Sequence, residues 1–247
     1  MRFPWKIEIG SNEPPEVRGE RVILPKVDRS FRVLYMSDLH LKERKTERLC
    51  AQLQRIVATA NPELLLLGGD LVEKQSGLPQ LTALVSAACR KCLVGAVGGN
   101  HDRRGGIRLV EHAGELAGGV WLDRRPLAFF AGATRVVAGG DIARNAPPSD
   151  VSIRCLHYPN AFARNGACEH DLVFAGHLHG CQMTAFAWRG RLYPGAWFYR
   201  WNGLRFTRRN CVMLVSRGLR DAVPLRVNCP REVILCHCSG REISPGA

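Results

Sequence analysis

Residues 31–40 read FRVLYMSDLH, an apolar run that ends in two polar side chains, Asp38 and His40. A nearly continuous apolar segment of this length predicts a strand that is buried on both faces, as in a parallel sheet. Two further runs end in the same way, since residues 64–70 read LLLLGGD and residues 92–102 read CLVGAVGGNHD. Each run therefore predicts a buried strand with polar side chains at its carboxyl end.

Segments with helical periodicity separate these predicted strands. Apolar residues recur at helical spacing from Thr46 to Ala60, and the segments Leu78 to Lys91 and Ile107 to Ala117 also predict helices. The resulting β-α-β-α-β order favours a parallel or mixed sheet wrapped by helices. Ligands of such sheets bind at the carboxyl ends of the strands, which is where the polar clusters fall.

The chain beyond Trp121 has a different texture. Short apolar segments are separated there by Gly, Pro and Asn, a pattern that predicts a strand-rich half with antiparallel pairing. We expect the two halves to form a sandwich of two sheets with helices outside, an α/β (α+β) fold. At this length, we expect residues 1–247 to form a single domain.

The polar clusters at the strand ends supply the donors of a two-metal site. They are Asp38, His40, Asp70, Asn100, His157, His177 and His179. Two divalent ions about 3.5–4 Å apart can activate a bridging hydroxide for attack on phosphorus and hold the phosphate oxygens. Imidazole, carboxylate and amide oxygen suit manganese, iron and zinc better than calcium. The sequence therefore predicts a dinuclear hydrolytic centre, with manganese as the expected metal and iron or zinc as alternatives.

The spacing within the clusters adds an expectation about direction. Asp38 and His40 lie two residues apart, as do His177 and His179, so each pair would share one face of an extended segment. Asn100 and His101 are neighbours at a predicted turn and would point differently. One of the two could then bind metal while the other reaches the substrate.

These motifs together resemble the calcineurin-like metallophosphoesterase family. The resemblance runs from about Phe31 to Gln182 and rests on Ser37-Asp38-Leu39-His40, Gly69-Asp70, Gly99-Asn100-His101-Asp102, His157 and Gly176-His177-Leu178-His179. It implies a four-layer αββα sandwich of two mixed sheets flanked by helices. The segment after His179 resembles a bacterial branch with membrane-associated phosphodiesterases and UDP-2,3-diacylglucosamine pyrophosphohydrolase, although Cys181 stands where this branch commonly has Gly.

The resemblance also implies a role for each site residue. One metal would be held by Asp38, His40 and His179, the other by Asn100, His157 and His177, with Asp70 bridging them. His101 would face the substrate as a catalytic residue that steadies the phosphate or protonates the leaving oxygen. Asp102, the second catalytic candidate, would either orient His101 or cap the following helix. Arg103 and Arg104 would either contact the substrate phosphate or be solvated.

Composition and charge constrain partners and location. The formal charge of +13, from 35 Lys and Arg against 22 Asp and Glu, suits anionic partners, although a solvated basic surface would look the same. No apolar run reaches the roughly 18 residues of a membrane span, and residues 1–9 lack the apolar core of a secretory signal. We therefore expect a cytoplasmic protein, with the inner face of the membrane as a candidate location, and reduced cysteines.

The sequence favours one function and leaves alternatives open. The leading hypothesis is a two-metal hydrolase of phosphodiesters or pyrophosphates, with a lipid-linked substrate such as UDP-2,3-diacylglucosamine of lipid A synthesis as one candidate. A general or cyclic-nucleotide phosphodiesterase is the competing enzyme, and a catalytically silent module that binds nucleic acid or membrane is the non-enzymatic alternative. Aromatic residues interleaved with arginines, from Trp188 to Arg209, suit a peripheral membrane contact or one wet face of a sheet. Nucleic acid is not an expected partner of the enzyme, and the oligomeric state is open.

Overall fold

Two six-stranded mixed sheets dominate the fold. The computed structural model describes residues 5–10, 13–43, 46–141, 148–163, 170–220 and 223–240. The helices are α1 Glu47–Ala60, α2 Leu78–Cys89 and α3 Asn100–Leu116. The strands are β1 Ile7–Ile9, β2 Glu16–Ile23, β3 Phe31–Met36, β4 Leu64–Gly68, β5 Leu93–Val97, β6 Val120–Trp121, β7 Leu127–Ala131, β8 Thr134–Gly139, β9 Val151–Cys155, β10 Leu172–Ala175, β11 Thr184–Trp188, β12 Arg191–Pro194, β13 Arg205–Arg208, β14 Cys211–Val215, β15 Leu225–Val227 and β16 Glu232–Ser239.

The three apolar runs of the first half form neighbouring parallel strands, as predicted. The first sheet has the order β2-β16-β3-β4-β5-β6, in which β3 to β6 are parallel and β16 runs antiparallel to β3. Every residue of β4 is buried, because the helices cover one face and the second sheet covers the other. The predicted β-α-β-α-β order is therefore confirmed.

The helices of the first half pack on the outer face of this sheet. In α1 the residues Leu49, Leu53 and Val57 are buried, four residues apart, so one stripe of the helix faces the sheet. The third predicted helix was expected to begin at Ile107, but α3 begins at Asn100. Its first turn is stabilised by a side chain of the polar cluster itself, and a kink at Gly106 (φ 103°) separates that turn from the apolar part.

The second sheet corrects the expected antiparallel pairing. Its order is β13-β14-β10-β9-β8-β7, and β8, β9, β10 and β14 are all parallel. Antiparallel pairing is confined to the two edges, where β7 meets β8 and β13 meets β14. The central strand β10 is buried along its whole length, which is the pattern of a parallel strand covered on both faces.

The two sheets share one apolar core. The ring of Tyr35 on β3 stacks on that of Phe174 on β10, with centroids 5.2 Å apart. The outer face of the second sheet is covered by the short 3-10 helix Pro159–Ala163 and by Trp201, whose ring meets Phe162 edge-on at 5.3 Å. Two mixed sheets with flanking helical segments confirm the expected fold class.

Two further expectations can be compared with the described part of the chain. In that part, no helix is both long and apolar enough to cross a membrane. The cysteines that the structure describes are all free thiols, and most of them are buried. Residues 1–4, part of the N-terminal segment discussed above, lie outside the described residues.

Candidate metal centre

Strands of both sheets bring the seven predicted ligands to one edge of the sandwich. The first sheet contributes the residues that follow β3, β4 and β5, and the second contributes those that follow β9 and β10. In that order they are Asp38 and His40, Asp70, Asn100, His157, and His177 and His179. The edge therefore assembles side chains that lie up to 141 positions apart (179 − 38) in the chain.

The backbone at these positions is left-handed and not extended. Asp38, His40, Asp70, His177 and His179 have φ of 57°, 42°, 51°, 71° and 51°. A non-glycine residue rarely adopts such values, and each costs on the order of 1 kcal/mol or more. The expectation that each Asp-x-His or His-x-His pair shares one face of an extended segment is therefore wrong. The chain instead turns sharply at each ligand, which aims successive side chains into one space.

Asp38, His40 and His179 form the first ligand group. Their donor atoms lie within 4.8 Å of one another, and His179 Nε2 is 3.4 Å from Asp38 Oδ1. Asp38 is fully buried, and its Oδ1 has no hydrogen-bond partner among the residues the structure describes. A buried carboxylate oxygen without a donor is costly unless a cation satisfies it. This group therefore fits a divalent metal.

Asp70, His157 and His177 form the second ligand group, with donor atoms again within 4.8 Å. His157 Nε2 is 3.4 Å from Asp70 Oδ2 and 3.2 Å from His177 Nδ1. The amide oxygen of Asn100 lies 3.1 Å from the same Nε2. One carboxylate, two imidazoles and one amide oxygen thus converge, a donor set that suits borderline divalent ions.

Asp70 lies between the two groups. Its Oδ2 is 3.4 Å from His157 Nε2 in the second group and 3.8 Å from His40 Nε2 in the first. Its other oxygen accepts a hydrogen bond from the backbone N–H of His101 at 2.8 Å, which fixes the carboxylate orientation. One carboxylate shared by two ligand groups is the arrangement that a bridging ligand requires.

Three of the histidines are oriented in the same way. Nδ1 of His157 donates to the carbonyl oxygen of Gly68 at 2.9 Å, and Nδ1 of His179 donates to that of Arg220 at 2.8 Å. Nδ1 of His40 lies 2.7 Å from a carboxylate oxygen of Glu73. Such partners fix the tautomer and leave Nε2 free for a metal. In all three residues Nε2 is the atom that faces a carboxylate of the site.

The electrostatics of the ligand groups show which charges a bound cation would balance. Burial by itself raises the pKa of Asp38, but the neighbouring His179 and His157 outweigh that effect and hold the pKa below its ordinary value. Burial lowers the pKa of His157, but Asp70 and Asp38 outweigh it and raise the pKa to about 9. The proton on His157 therefore balances the buried carboxylates, and metal binding would release it, whereas burial lowers the pKa of His40 and His177.

Glu73 is the functional candidate that the sequence reasoning missed. One of its carboxylate oxygens lies 2.7 Å from His40 Nδ1 and 3.0 Å from His101 Nδ1. It therefore links a candidate metal ligand to the histidine expected to face the substrate. Its position three residues after Asp70 was the available signal, but a lone Glu in a predicted loop does not reveal two imidazole partners.

Asp102 caps helix α3, which is one of the two roles expected for it, but its carboxylate does not contact the His101 ring. Its carboxylate accepts the backbone N–H groups of Leu71 and Val72, both at 2.9 Å, and that of Gly99 at 2.8 Å. The contact with Gly99 is the helix cap, and the other two hold the segment that follows Asp70. The expected orientation of the His101 ring by Asp102 is therefore corrected, since the carboxylate that contacts the imidazole of His101 is that of Glu73.

The two arginines after this cluster are exposed, and one of them borders a small cavity. Arg103 lines a cavity of about 80 Å³ together with Asp123, His157 and Tyr158. The hydroxyl of Tyr158 donates to Asn100 Oδ1 at 3.2 Å. Arg103 thus lies beside the second ligand group, whereas Arg104 is placed on the surface of the same helix turn.

The match to a protein family agrees with this candidate site. A fold of two mixed sheets with clustered metal-ligand candidates at their shared edge is that of a metal-dependent phosphoesterase. The family model for calcineurin-like phosphoesterases matches residues 31–181, more than half of the chain. The chain therefore belongs to the calcineurin-like phosphoesterase family, which depends on two divalent metal ions.

The individual relatives share little sequence identity with this chain. An uncharacterised metallophosphoesterase of Campylobacter jejuni is 25% identical over an alignment of 247 positions. The alignment covers 92% of this chain and 64% of the relative. The chain thus spans less than two thirds of the length of that protein. Among solved structures, an archaeal phosphodiesterase has a TM-score of 0.42 at 12% identity, over 74% of this chain and 82% of that one. A dimetal phosphatase of Danio rerio has a TM-score of 0.46 at 11% identity, over 87% and 98%.

Proposed function

We propose that this metal-dependent phosphoesterase hydrolyses phosphodiesters or pyrophosphates at a dinuclear centre. The observation that carries the proposal is the position of Asp70, whose Oδ2 faces His40 of one ligand group and His157 of the other. A non-catalytic scaffold has no physical need for seven polar groups at one buried edge. This argues against the silent binding module as the function.

The residues divide into two sets toward the metals. Asp38, His40 and His179 would hold one ion, and Asn100, His157 and His177 would hold the other, with Asp70 shared. When bound, such ions lower the pKa of water and neutralise the charge on phosphate oxygens. We propose manganese, with iron or zinc as alternatives that the same donors accept.

The chain's own residues would complete the chemistry around the ions. We propose that His101 is the catalytic proton donor to the leaving oxygen, since its Nδ1 is held by Glu73 at 3.0 Å and its ring is partly exposed. Glu73 would fix the orientation of the ring. Arg103, exposed beside the second ligand group, would attract the substrate phosphate, and Arg104 on the same turn would add to that field.

A lipid-linked substrate is the finer part of the proposal. The bacterial branch that the sequence resembles includes a UDP-2,3-diacylglucosamine pyrophosphohydrolase, and UDP-2,3-diacylglucosamine of lipid A synthesis is therefore the lipid-linked candidate that we propose. His101 and His177 are both partly exposed, which supports an edge accessible to a bulky phosphodiester. The core shared by both sheets supports a single domain over residues 1–247. The enzyme would work in the cytoplasm at the inner face of the membrane.

Hydrolysis of bis-p-nitrophenyl phosphate with added manganese tests the reaction class. We expect activity in the wild type and its loss in Asp70→Asn and His101→Ala, with unchanged circular dichroism. His112→Ala is the matched control, since His112 is exposed on α3 and belongs to none of the ligand groups. Equal rates in the wild type and Asp70→Asn would leave only the binding module.

A separate assay tests the lipid substrate. Incubation with UDP-2,3-diacylglucosamine should release UMP in the wild type and not in Asp70→Asn. Absence of UMP, together with good activity on the simple diester, would eliminate this substrate and favour a general or cyclic-nucleotide phosphodiesterase.

A further inference from the structure

The small sheet of β1 and β15 exposes its apolar side chains and buries its charged ones. Ile7 and Ile9 on β1 are exposed, while Glu8 between them is buried and accepts a hydrogen bond from Arg231 Nε at 2.7 Å. On β15, Leu225 is exposed, whereas Arg226 is almost fully buried and donates to backbone carbonyls. Since folded proteins normally bury isoleucine and expose charge, the inverted pattern marks an outward face that needs apolar contact.

An exposed aromatic hairpin adjoins this small sheet. Met183 forms a β-bridge with Val227 of β15, and the β11–β12 hairpin begins at the next residue. Beyond the hairpin, Trp197 and Phe198 are 68% and 80% exposed. We name the whole surface the apolar face. Its exposed members are Ile7, Ile9, Met183, Phe186, Trp188, Trp197, Phe198, Tyr199, Val223 and Leu225.

The segment that carries the aromatic part is rich in arginine. From Leu172 to Arg220 the sequence contains no Asp or Glu, whereas it contains eight arginines. Arg205 and Arg217 pair with Glu20 and Glu232 of other strands. Four further arginines are exposed, namely Arg189, Arg200, Arg208 and Arg209. Arg189 lies 4.6 Å over the ring of Trp188, and both side chains are exposed. Exposed arginines that surround aromatic rings complement a surface with apolar depth and negative charge, as in anionic phospholipid.

The apolar face begins close to the candidate metal centre. The 3-10 helix His179–Gln182 connects a ligand of the first group directly to Met183. The side-chain amide of Gln182 donates to the carbonyl oxygens of Val223 and Leu225, at 2.6 Å and 2.9 Å. The ligand turn is therefore fixed to the apolar face, so that a surface seated on this face would lie next to the site.

We propose that the apolar face seats the protein on an anionic lipid bilayer and presents the metal centre to phosphoester groups at that surface. This deepens the proposed function and rests on it for the substrate, but not for the membrane contact itself. A platform for single-stranded nucleic acid would need aromatic rings, and it would have no use for the outward isoleucines of β1. The aliphatic and aromatic members together therefore favour lipid.

Co-sedimentation of the full chain with vesicles tests the proposal. We expect binding to vesicles of phosphatidylcholine with phosphatidylglycerol, weaker binding to phosphatidylcholine alone, and release by salt. Trp197→Ser with Phe198→Ser should weaken binding at least about tenfold, because two exposed rings no longer enter the bilayer. Ile7→Ser with Ile9→Ser is a second variant on the other part of the face. Leu116→Ser with Phe130→Ser is the matched control, since these side chains are 73% and 64% exposed on other elements.

The readouts separate this proposal from the proposed function. Both face variants should hydrolyse soluble bis-p-nitrophenyl phosphate at the wild-type rate, which also shows that they fold. Failure of the wild type to bind anionic vesicles, or equal binding by wild type and face variants, overturns the membrane contact whatever the hydrolysis rate. Two results with the wild type would also overturn it in favour of another occupant. One is a dimer by light scattering that the face variants disrupt, and the other is binding to oligo(dT) without binding to vesicles.

Discussion

Replacement of Asp102 by alanine is expected to lower the free energy of unfolding strongly. The hydrolytic activity of the folded variant should change much less. The buried carboxylate accepts three backbone N–H groups, those of Leu71, Val72 and Gly99, at 2.8–2.9 Å. Hydrogen bonds to a charged group contribute about 1.5–3 kcal/mol each, and a buried donor left without a partner keeps its desolvation cost. Burial itself disfavours the carboxylate, as the raised pKa of Asp102 shows, and this offsets part of the loss.

The net loss for Asp102→Ala is therefore expected to be about 3–5 kcal/mol, less than the sum of three bonds. At roughly 2–4 °C per kcal/mol for a chain of this size, the melting temperature should fall by about 10 °C. Asp102→Asn keeps one acceptor oxygen for Leu71 and Val72 and turns an amide toward Gly99, so it should lose about 1–3 kcal/mol. Asp150→Ala, which removes an exposed carboxylate bonded to the N–H of Arg135, is the control and should change stability by less than about 1 kcal/mol.

Thermal unfolding followed by circular dichroism measures these losses, and hydrolysis of bis-p-nitrophenyl phosphate is measured at a temperature where every variant is folded. Asp102 contacts backbone N–H groups and not the side chain of His101. The folded variants should therefore retain hydrolytic activity, reduced only as far as the segment that follows Asp70 is displaced. An unchanged melting temperature in Asp102→Ala with complete loss of hydrolysis would refute this reasoning and make Asp102 a participant in the reaction.

Other expected outcomes follow from the same contacts. Glu73→Gln should lower the rate of hydrolysis about 10–100-fold, since the neutral amide replaces the carboxylate that contacts two imidazoles. Glu73→Asp should recover part of the rate if the charge matters. Equal rates in the wild type and both variants would exclude this positioning role. Exhaustive chelation should abolish hydrolysis and manganese should restore it, whereas full activity after chelation would contradict a metal mechanism. Tyr158→Phe removes the donor to Asn100 and should weaken metal binding without unfolding, as calorimetric titration with manganese would show. Burial raises the pKa of Cys92 to about 11, so iodoacetamide at neutral pH should alkylate it slowly before unfolding and rapidly afterwards; fast labelling of the folded protein would contradict its burial.

The sequence predicted the elements of the first half of the chain, where the period of the apolar residues distinguishes strands from helices. The strand at 31–36 and the helix at 47–60 were found within a residue or two, because apolar runs and helical stripes there are uninterrupted. The start of α3 was missed by seven residues (107 − 100), because its first turn consists of the polar cluster itself. Helical periodicity cannot identify a turn whose side chains all serve the site or its cap.

Strand direction in the second sheet could not be derived in the same way. Short apolar segments separated by turn residues fit antiparallel hairpins and parallel strands alike, because periodicity carries no direction. The one available signal was the continuous burial expected for Leu172–Ala175, which favours a parallel strand. The crossover that makes β9 and β10 parallel depends on tertiary packing, which single residues do not reveal.

The composition of the candidate site was predictable, but its geometry was not. Polar clusters after buried strands identified the seven ligand candidates, since strand ends of a parallel sheet share an edge. Glu73 escaped because its partners, His40 and His101, come from two different strand ends, and their proximity exists only in the fold. The left-handed backbone at five ligands also escaped, because Asp and His are enriched in that region but still adopt it in only a few per cent of cases.

The division of the ligands between the sheets explains why the site cannot exist as a local motif. The first ligand group needs Asp38 from the first sheet and His179 from the second, and the second group needs Asp70 from the first and His157 from the second. The stacked rings of Tyr35 and Phe174 lie on the strands that precede Asp38 and His177, so packing of the core sets the distance between the two ligand edges. Left-handed turns at the ligands are costly in isolation and are maintained only where the surrounding packing fixes them. The geometry of the site therefore depends on the packing of the two sheets. Any change that shifts the sheets relative to each other also separates the carboxylates of the first sheet from the imidazoles of the second.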